Sequence, residues 1–170
     1  PSGPLVNIIR DEAVWVSRSR RFVFAGDVGT RKGFDVIEQV WPQLVARYPD
    51  VQLQVCGPCI DLPAPTHLPQ CEYLGTVSRE KVASLLAGAE ALLLPSRRGV
   101  LPMSALESLR LGTPVVASHA GELDSLAESK AVTYCEVDND SLKSAIETIL
   151  ECDESDKKAM SDAAIAWSAA

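Results

Sequence analysis

The sequence predicts an α/β fold, a doubly wound parallel sheet with helices on both faces. Three observations predict it. Short apolar runs alternate with segments of helical period. Two of those runs, Val51–Gly57 (VQLQVCG) and Ala91–Pro95 (ALLLP), are nearly continuous, as strands covered on both faces are. The length of 170 residues, with 46% hydrophobic and 23% charged content, suits one domain with a full core.

Each element follows in order. Arg21–Gly26 (RFVFAG) reads as a strand. Phe34–Tyr48 reads as a helix because Phe34, Ile37, Trp41, Leu44, Val45 and Tyr48 share one stripe, with a kink expected at Pro42. After the strand at Val51–Gly57, the Pro-rich stretch Pro58–Pro69 is a loop. Cys71–Leu74 is a weaker strand, and Ser78 is placed to cap a helix carrying Val82, Leu85 and Leu86. The strand Ala91–Pro95 leads to a helix from Met103 to Leu111, closed by Gly112. Pro114–Ser118 and Val132–Val137 are the last strands, with helices at Leu123–Glu128, Ser141–Glu151 and Ser155–Trp167. No internal repeat is present. The expected organisation is a single Rossmann-like domain over residues 1–170, of which about residues 1–20 are a lead-in segment. In such sheets ligands bind beyond the carboxyl ends of the strands, which selects the loops after Gly26, Gly57, Pro95 and Ser118.

Charge and composition exclude several classes. The formal charge of −7, from 23 acidic and 16 basic residues, argues against nucleic acid or an anionic membrane as a general partner. The charge is uneven. Residues 136–162 hold nine carboxylates against three lysines, while Arg18, Arg20, Arg21, Arg31 and Lys32 cluster near the start and suggest a local anion site. No apolar run is long enough to span a bilayer and no signal peptide is visible. Five cysteines, an odd number, do not form a secreted disulfide framework, so a reducing cytoplasm is expected. The chain begins at Pro1, and it is expected to be an excised domain.

Cys56-Gly57-Pro58-Cys59 invites a redox reading. A reactive dithiol needs its first cysteine at a helix N-terminus, and prolines at 63, 65 and 69 prevent a helix after Cys59. Cys56, Cys59, His67 and Cys71 also make a C-x2-C-x7-H-x3-C pattern, an alternative Cys3His zinc set. The plain reading is a strand and a Gly-Pro turn whose cysteines act as small hydrophobes; no metal site is assigned.

Two loops carry more promising chemistry. GDVGTRKG, residues 26–33, joins a strand to a helix with three glycines and brings Arg31 and Lys32 to the helix start, a sensible phosphate site, with a structural turn as the equal alternative. Its spacing is neither that of a Walker A loop nor of the dinucleotide fingerprint. In the second, PSRRGVLPMSALESLRLGTPVV, residues 95–116, Ser96–Leu101 leads into a helix whose free amides at Met103–Ala105 suit a diphosphate, with Arg97 or Arg98 adding charge. Glu107 lies one turn further in, placed to accept both hydroxyls of a ribose; a solvated surface glutamate is the plain alternative.

Taken together, KG after a strand, YLG (73–75), LLLPS (92–96) and LES...GTPVVAS...GELDSL resemble the nucleotide-sugar-binding half of retaining glycosyltransferases, more narrowly the family 4 or group 1 enzymes with the GT-B fold. The likeness runs from about Phe22 to Trp167. It implies donor-phosphate contact by Lys32, with Gly26 and Arg31 in the same pocket, and a ribose held by Glu107. It further implies a base against the backbone near Thr76 and Val77, and the diphosphate or donor sugar facing Val100, Leu101, Met103 and Ser104. It implies no cofactor beyond the nucleotide-diphosphate sugar substrate. A further N-terminal acceptor-binding domain of the same enzyme is implied as partner, without which the chain binds donor but does not turn over. The setting implied is cytoplasmic, with peripheral contact at a membrane open to the full-length enzyme. Two positions depart from the family pattern: Asp27 stands where an arginine is common, and Gly99 where the first motif glutamate falls. These departures favour a competing hypothesis, a non-catalytic relative serving as a binding or assembly module.

Overall fold

The computed structural model describes residues 19–170; most of the expected lead-in segment, with Arg18, lies outside the described residues. Among the described residues six strands form one sheet: β1 (Arg21–Ala25), β2 (Gln52–Cys56), β3 (Cys71–Tyr73), β4 (Ala91–Leu94), β5 (Val115–Ser118) and β6 (Val132–Cys135). Their order is β3-β2-β1-β4-β5-β6 and every pairing is parallel. The order reverses between β1 and β4, so the loops leaving those two strands part and leave a crevice at the carboxyl edge.

The helices are α1 (Phe34–Arg47), α2 (Arg79–Leu86), α3 (Met103–Arg110), α4 (Asn139–Glu151) and α5 (Glu154–Ala169), with a 3-10 helix at Gly121–Leu126. Period-two alternation in β1 explains the two layers. Phe22 and Phe24 join Phe34, Ile37, Trp41, Ile146 and Ile149 on the α1/α4 face, while Val23 joins Leu86, Leu109 and Leu126 on the other. Each fully buried side chain of this kind contributes roughly 1.5–3 kcal/mol. Caps agree with the sequence. Ser78 Oγ accepts from Lys81 N at 3.1 Å, and Asp138 and Asp153 accept from Ser141 N and Asp156 N, both at 2.8 Å.

Residues 34–47 form one helix with Pro42 inside it, because Val36, Ile37, Val40, Trp41 and Leu44 are all buried along its inner stripe while Pro42 faces solvent. Trp41 Nε1 donates to Pro69 O at 2.8 Å, which ties the Pro-rich loop to this helix. Leu123–Glu128 is replaced by the 3-10 helix. The basic cluster does not hold together. Arg20 pairs with Asp50 (3.4 Å), and Arg21 donates to Gln54 Oε1 (2.9 Å) and Ala87 O (3.0 Å), so both are spent at the opposite end of β1 from Arg31 and Lys32. The terminal helix is docked by a buried ion pair, Lys157 Nζ to Glu90 Oε1 at 2.6 Å.

The segment CGPCID acts as a brace. Val28 and Cys59 form an isolated parallel bridge, with Val28 N donating to Pro58 O (2.8 Å) and Ile60 N to Val28 O (3.0 Å). Asp61 takes both the amide (2.9 Å) and the hydroxyl (2.6 Å) of Thr30. From the other side Arg97 N donates to Arg31 O (2.9 Å), and the Arg97 guanidinium reaches Thr30 O and grips Asp35 through two bonds of 2.7 and 3.0 Å. The loop over residues 26–33 is therefore held from both neighbouring strands. Gly33 seals it: φ is 74°, and a Cβ there would sit 1.8 Å from Pro95 O.

Gly33→Ala should therefore cost more than about 2 kcal/mol of stability in urea unfolding, the scale of backbone strain plus a clash that cannot relax. A loss within the error of wild type would mean the loop does not pack on β4 as described. The Thr30 hydroxyl and amide hold the Asp61 carboxyl below the usual aspartate range. This brace is thus complete above the ordinary aspartate pKa and is released only as pH falls through the lower folded value. The Thr30 amide resonance should titrate with that depressed midpoint, and Asp61→Asn should remove the transition; a midpoint at the ordinary value would contradict the brace.

Candidate functional site

A cavity of about 360 Å³ opens at the carboxyl edge of the sheet, within the range of small-ligand sites. Its floor is main chain. Gly26 ends β1 and donates to Cys56 O at 3.0 Å; Gly57 ends β2 and donates to Gly75 O at 2.8 Å. A Cβ at Gly57 would lie 1.8 Å from Gly26 O, so no larger residue lets the two strand ends meet. Ala25, Cys56, Val77 and Val82 supply apolar wall, and Thr76 and Arg79 border it from the β3–α2 side. Helix α3 supplies the facing wall with Met103, Ser104 and Glu107.

Helix α3 begins after Pro102, which has extended backbone (φ −75°, ψ 146°) and offers no side-chain cap. The amides of Met103 and Ser104 have no partner within the helix, as for any first turn. That of Ala105, expected free, is spent on Pro102 O at 3.1 Å. Ser104 Oγ is buried without a hydrogen-bond partner among the described residues, on a residue that lines the cavity. An uncapped helix start with two free amides and a spare hydroxyl can take up an anion.

Of the residues singled out by sequence, Gly26, Thr76, Val77, Met103, Ser104 and Glu107 meet in this cavity. Arg31, Lys32, Val100 and Leu101 are not among its lining residues. Lys32 Nζ and Arg31 Nη2 instead lie 3.3 and 3.9 Å from where a Cβ on Gly99 would stand. Leu101 N is held by Glu122 Oε2 at 3.0 Å, and Gly121 packs on Gly99 O, so the segment 99–101 is pinned to the 3-10 helix. Val100 is exposed. Arg97, expected to add charge, is committed to Asp35. Asp27 is half-buried in the 26–33 loop.

The cysteine readings find no assembly. Cys56 is buried in β2, and burial raises its thiol pKa, the reverse of a reactive thiolate. Cys59 is exposed with Sγ 3.3 Å from Tyr73 OH, His67 faces Glu38 at 3.9 Å, and Cys71 is pushed up to about 11 by burial and then by Glu72. Among the described residues no three His, Cys, Asp or Glu side chains gather as metal ligands. His119 is occupied locally, bonded through Nδ1 to Asp124 (2.8 Å) and stacked on Tyr134. Among the described residues no helix is long and apolar enough to cross a membrane.

Sequence reasoning missed Ala25, Cys56, Gly57, Arg79 and Val82 as lining residues. A signal existed for Arg79: once Ser78 is read as a cap, a cation falls on the first helical residue, where the helix dipole disfavours it.

The chain is 33% identical over 128 residues to a D-inositol 3-phosphate glycosyltransferase of Corynebacterium urealyticum, a match covering 64% of this chain and 29% of that protein. The fold matches the crystal structure of Anabaena HepE in complex with UDP-glucose with a TM-score of 0.72 at 19% identity, covering 99% of this chain and 49% of that one. The chain thus spans about a third to a half of the length of these relatives. The family model described as glycosyl transferases group 1 matches residues 6–167, nearly the whole sequence. On that match the chain belongs to the group 1 glycosyl transferases.

Proposed function

We propose that this chain is the donor-binding domain of a retaining glycosyltransferase, taking up a nucleotide-diphosphate sugar. One observation carries the reading: Glu107 and the uncapped start of α3 share a single cavity with Gly26, Thr76 and Val77. In this reading Glu107 accepts the ribose hydroxyls, the base lies near Thr76 and Val77, and the Met103 and Ser104 amides with Ser104 Oγ receive the diphosphate. Lys32 and Arg31, reaching the Gly99 side, meet the distal phosphate and the sugar, with Val100 and Leu101 bordering that end. Positive groups fixed before reaction stabilise the charge that develops on the departing diphosphate, so the reading asks for no resident metal or cofactor. The 170 residues act as one domain, the acceptor is brought by an N-terminal domain of the same enzyme, and the setting is cytoplasmic or peripheral at a membrane.

A second reading, a non-catalytic binding or assembly module, is favoured by Gly99, which offers the sugar no carboxylate where Arg31 and Lys32 converge. Nucleotide-sugar binding without transfer in the full-length protein would select it.

Titration with UDP, GDP and ADP, followed by amide shifts, should perturb the segments around Gly26, Thr76 and Ser104; shifts confined to other faces would move the site. Lys32→Ala should weaken the nucleotide diphosphate by roughly 1.5–3 kcal/mol in calorimetry, the worth of a charged hydrogen bond. Unchanged affinity would remove Lys32 from the phosphate. Glu107→Gln should cost ribonucleotides more than their 2′-deoxy analogues; an equal loss for both would end the ribose assignment.

A further inference from the structure

Resting on the nucleotide reading above, we propose that Arg79 selects the base, admitting a 4-oxo pyrimidine or 6-oxo purine and rejecting the corresponding amino bases. Arg79 is the first residue of α2, behind the Ser78 cap, and it borders the cavity opposite α3. A cation at this end of a helix faces the positive end of the dipole. Glu80 in the same turn is its immediate neighbour and does not share its face. Arg20, Arg21, Arg47 and Arg97 each spend their guanidinium on a carboxylate, amide or carbonyl oxygen. Arg31, Arg79, Arg98 and Arg110 are left with no such acceptor among the described residues, and of these four only Arg79 lines the cavity.

The cavity's geometry says what it serves. Its two charged lining residues are Glu107 on α3 and Arg79 on α2, with Ala25, Cys56, Val77 and Val82 supplying apolar surface. A nucleoside whose ribose meets Glu107 lays its base on that apolar surface, where the ring face is well received and Arg79 is the ionic group at hand. A guanidinium carries five N–H donors and no acceptor. It bonds an exocyclic oxo oxygen and meets an exocyclic amino group donor to donor, leaving both unpaired in a half-enclosed site. Thr76, whose hydroxyl both donates and accepts, does not discriminate. Among the side chains lining the apolar surface, selection therefore falls on Arg79.

The test compares two matched pairs by calorimetry, UDP with CDP and IDP with ADP, each differing in one exocyclic oxo or amino group. The wild-type chain should favour the oxo member of each pair by about tenfold, the scale of a discriminating arginine contact to a base. Arg79→Ala should bring both ratios to within about twofold, mainly by weakening the oxo member. Glu107→Gln should weaken all four and leave the ratios alone. Equal weakening of all four by Arg79→Ala would make Arg79 a phosphate contact and overturn the inference, as would unchanged ratios. Preserved nucleotide binding without any oxo preference defeats the inference and spares the nucleotide reading, whereas silence towards all four nucleotides defeats both.

Discussion

At the carboxyl edge of this sheet, main chain packs directly on main chain. Gly33 rests on the carbonyl of Pro95 and Gly57 on that of Gly26, at separations that leave no room for a Cβ. The turns after β1, β2 and β4 can therefore approach more closely than side chains would allow. The cavity has a floor of backbone for that reason, and a ligand can lie against polar peptide groups without displacing bulk. The rest follows from this contact. The 26–33 loop is narrow enough to be braced by Asp61 on one flank and Arg97 on the other. With that loop fixed, Lys32 is directed at Gly99 rather than into solvent.

Charge is distributed according to the same plan. Arg20, Arg47 and Arg97 are paired with carboxylates on the surface, where ion pairs set geometry more than they add stability. Lys157 and Glu90 are different, because both are buried, where losing one charge of a pair costs far more than at the surface. Around the crevice stand the cations Arg31, Lys32, Arg79 and Arg98 and the carboxylates Glu107 and Asp27. An acidic protein thus keeps a locally mixed field where an anion would enter, and the negative surplus lies in residues 136–162, over α4 and α5.

Much of the fold was legible from local pattern. Buried strands announce themselves as apolar runs, and α2 and α3 were bounded by a serine cap and a closing glycine. Pro42 lies inside α1 without ending it, because a proline removes one hydrogen bond whereas the buried stripe from Val36 to Leu44 holds the whole helix in place. The basic cluster was misread for a geometric reason. Residues 20–21 and 31–32 are near in sequence, but a strand of five residues carries the chain roughly 17 Å between them. The four letters CGPC were read correctly as a strand and a turn. Their part in bracing Val28 could not be seen, since it depends on β2 lying beside β1.

The sequence by itself determined the alternation of elements, the family and most of the residues that meet at the cavity, because these rest on short-range periodicity and on motifs of fixed spacing. Only the tertiary structure decided which charges are spent and which are left. Arg97 was lost to Asp35 and Ala105's amide to Pro102, while Arg79 came to the cavity's rim. Such outcomes depend on distances between segments far apart in the chain, and no local pattern encodes them.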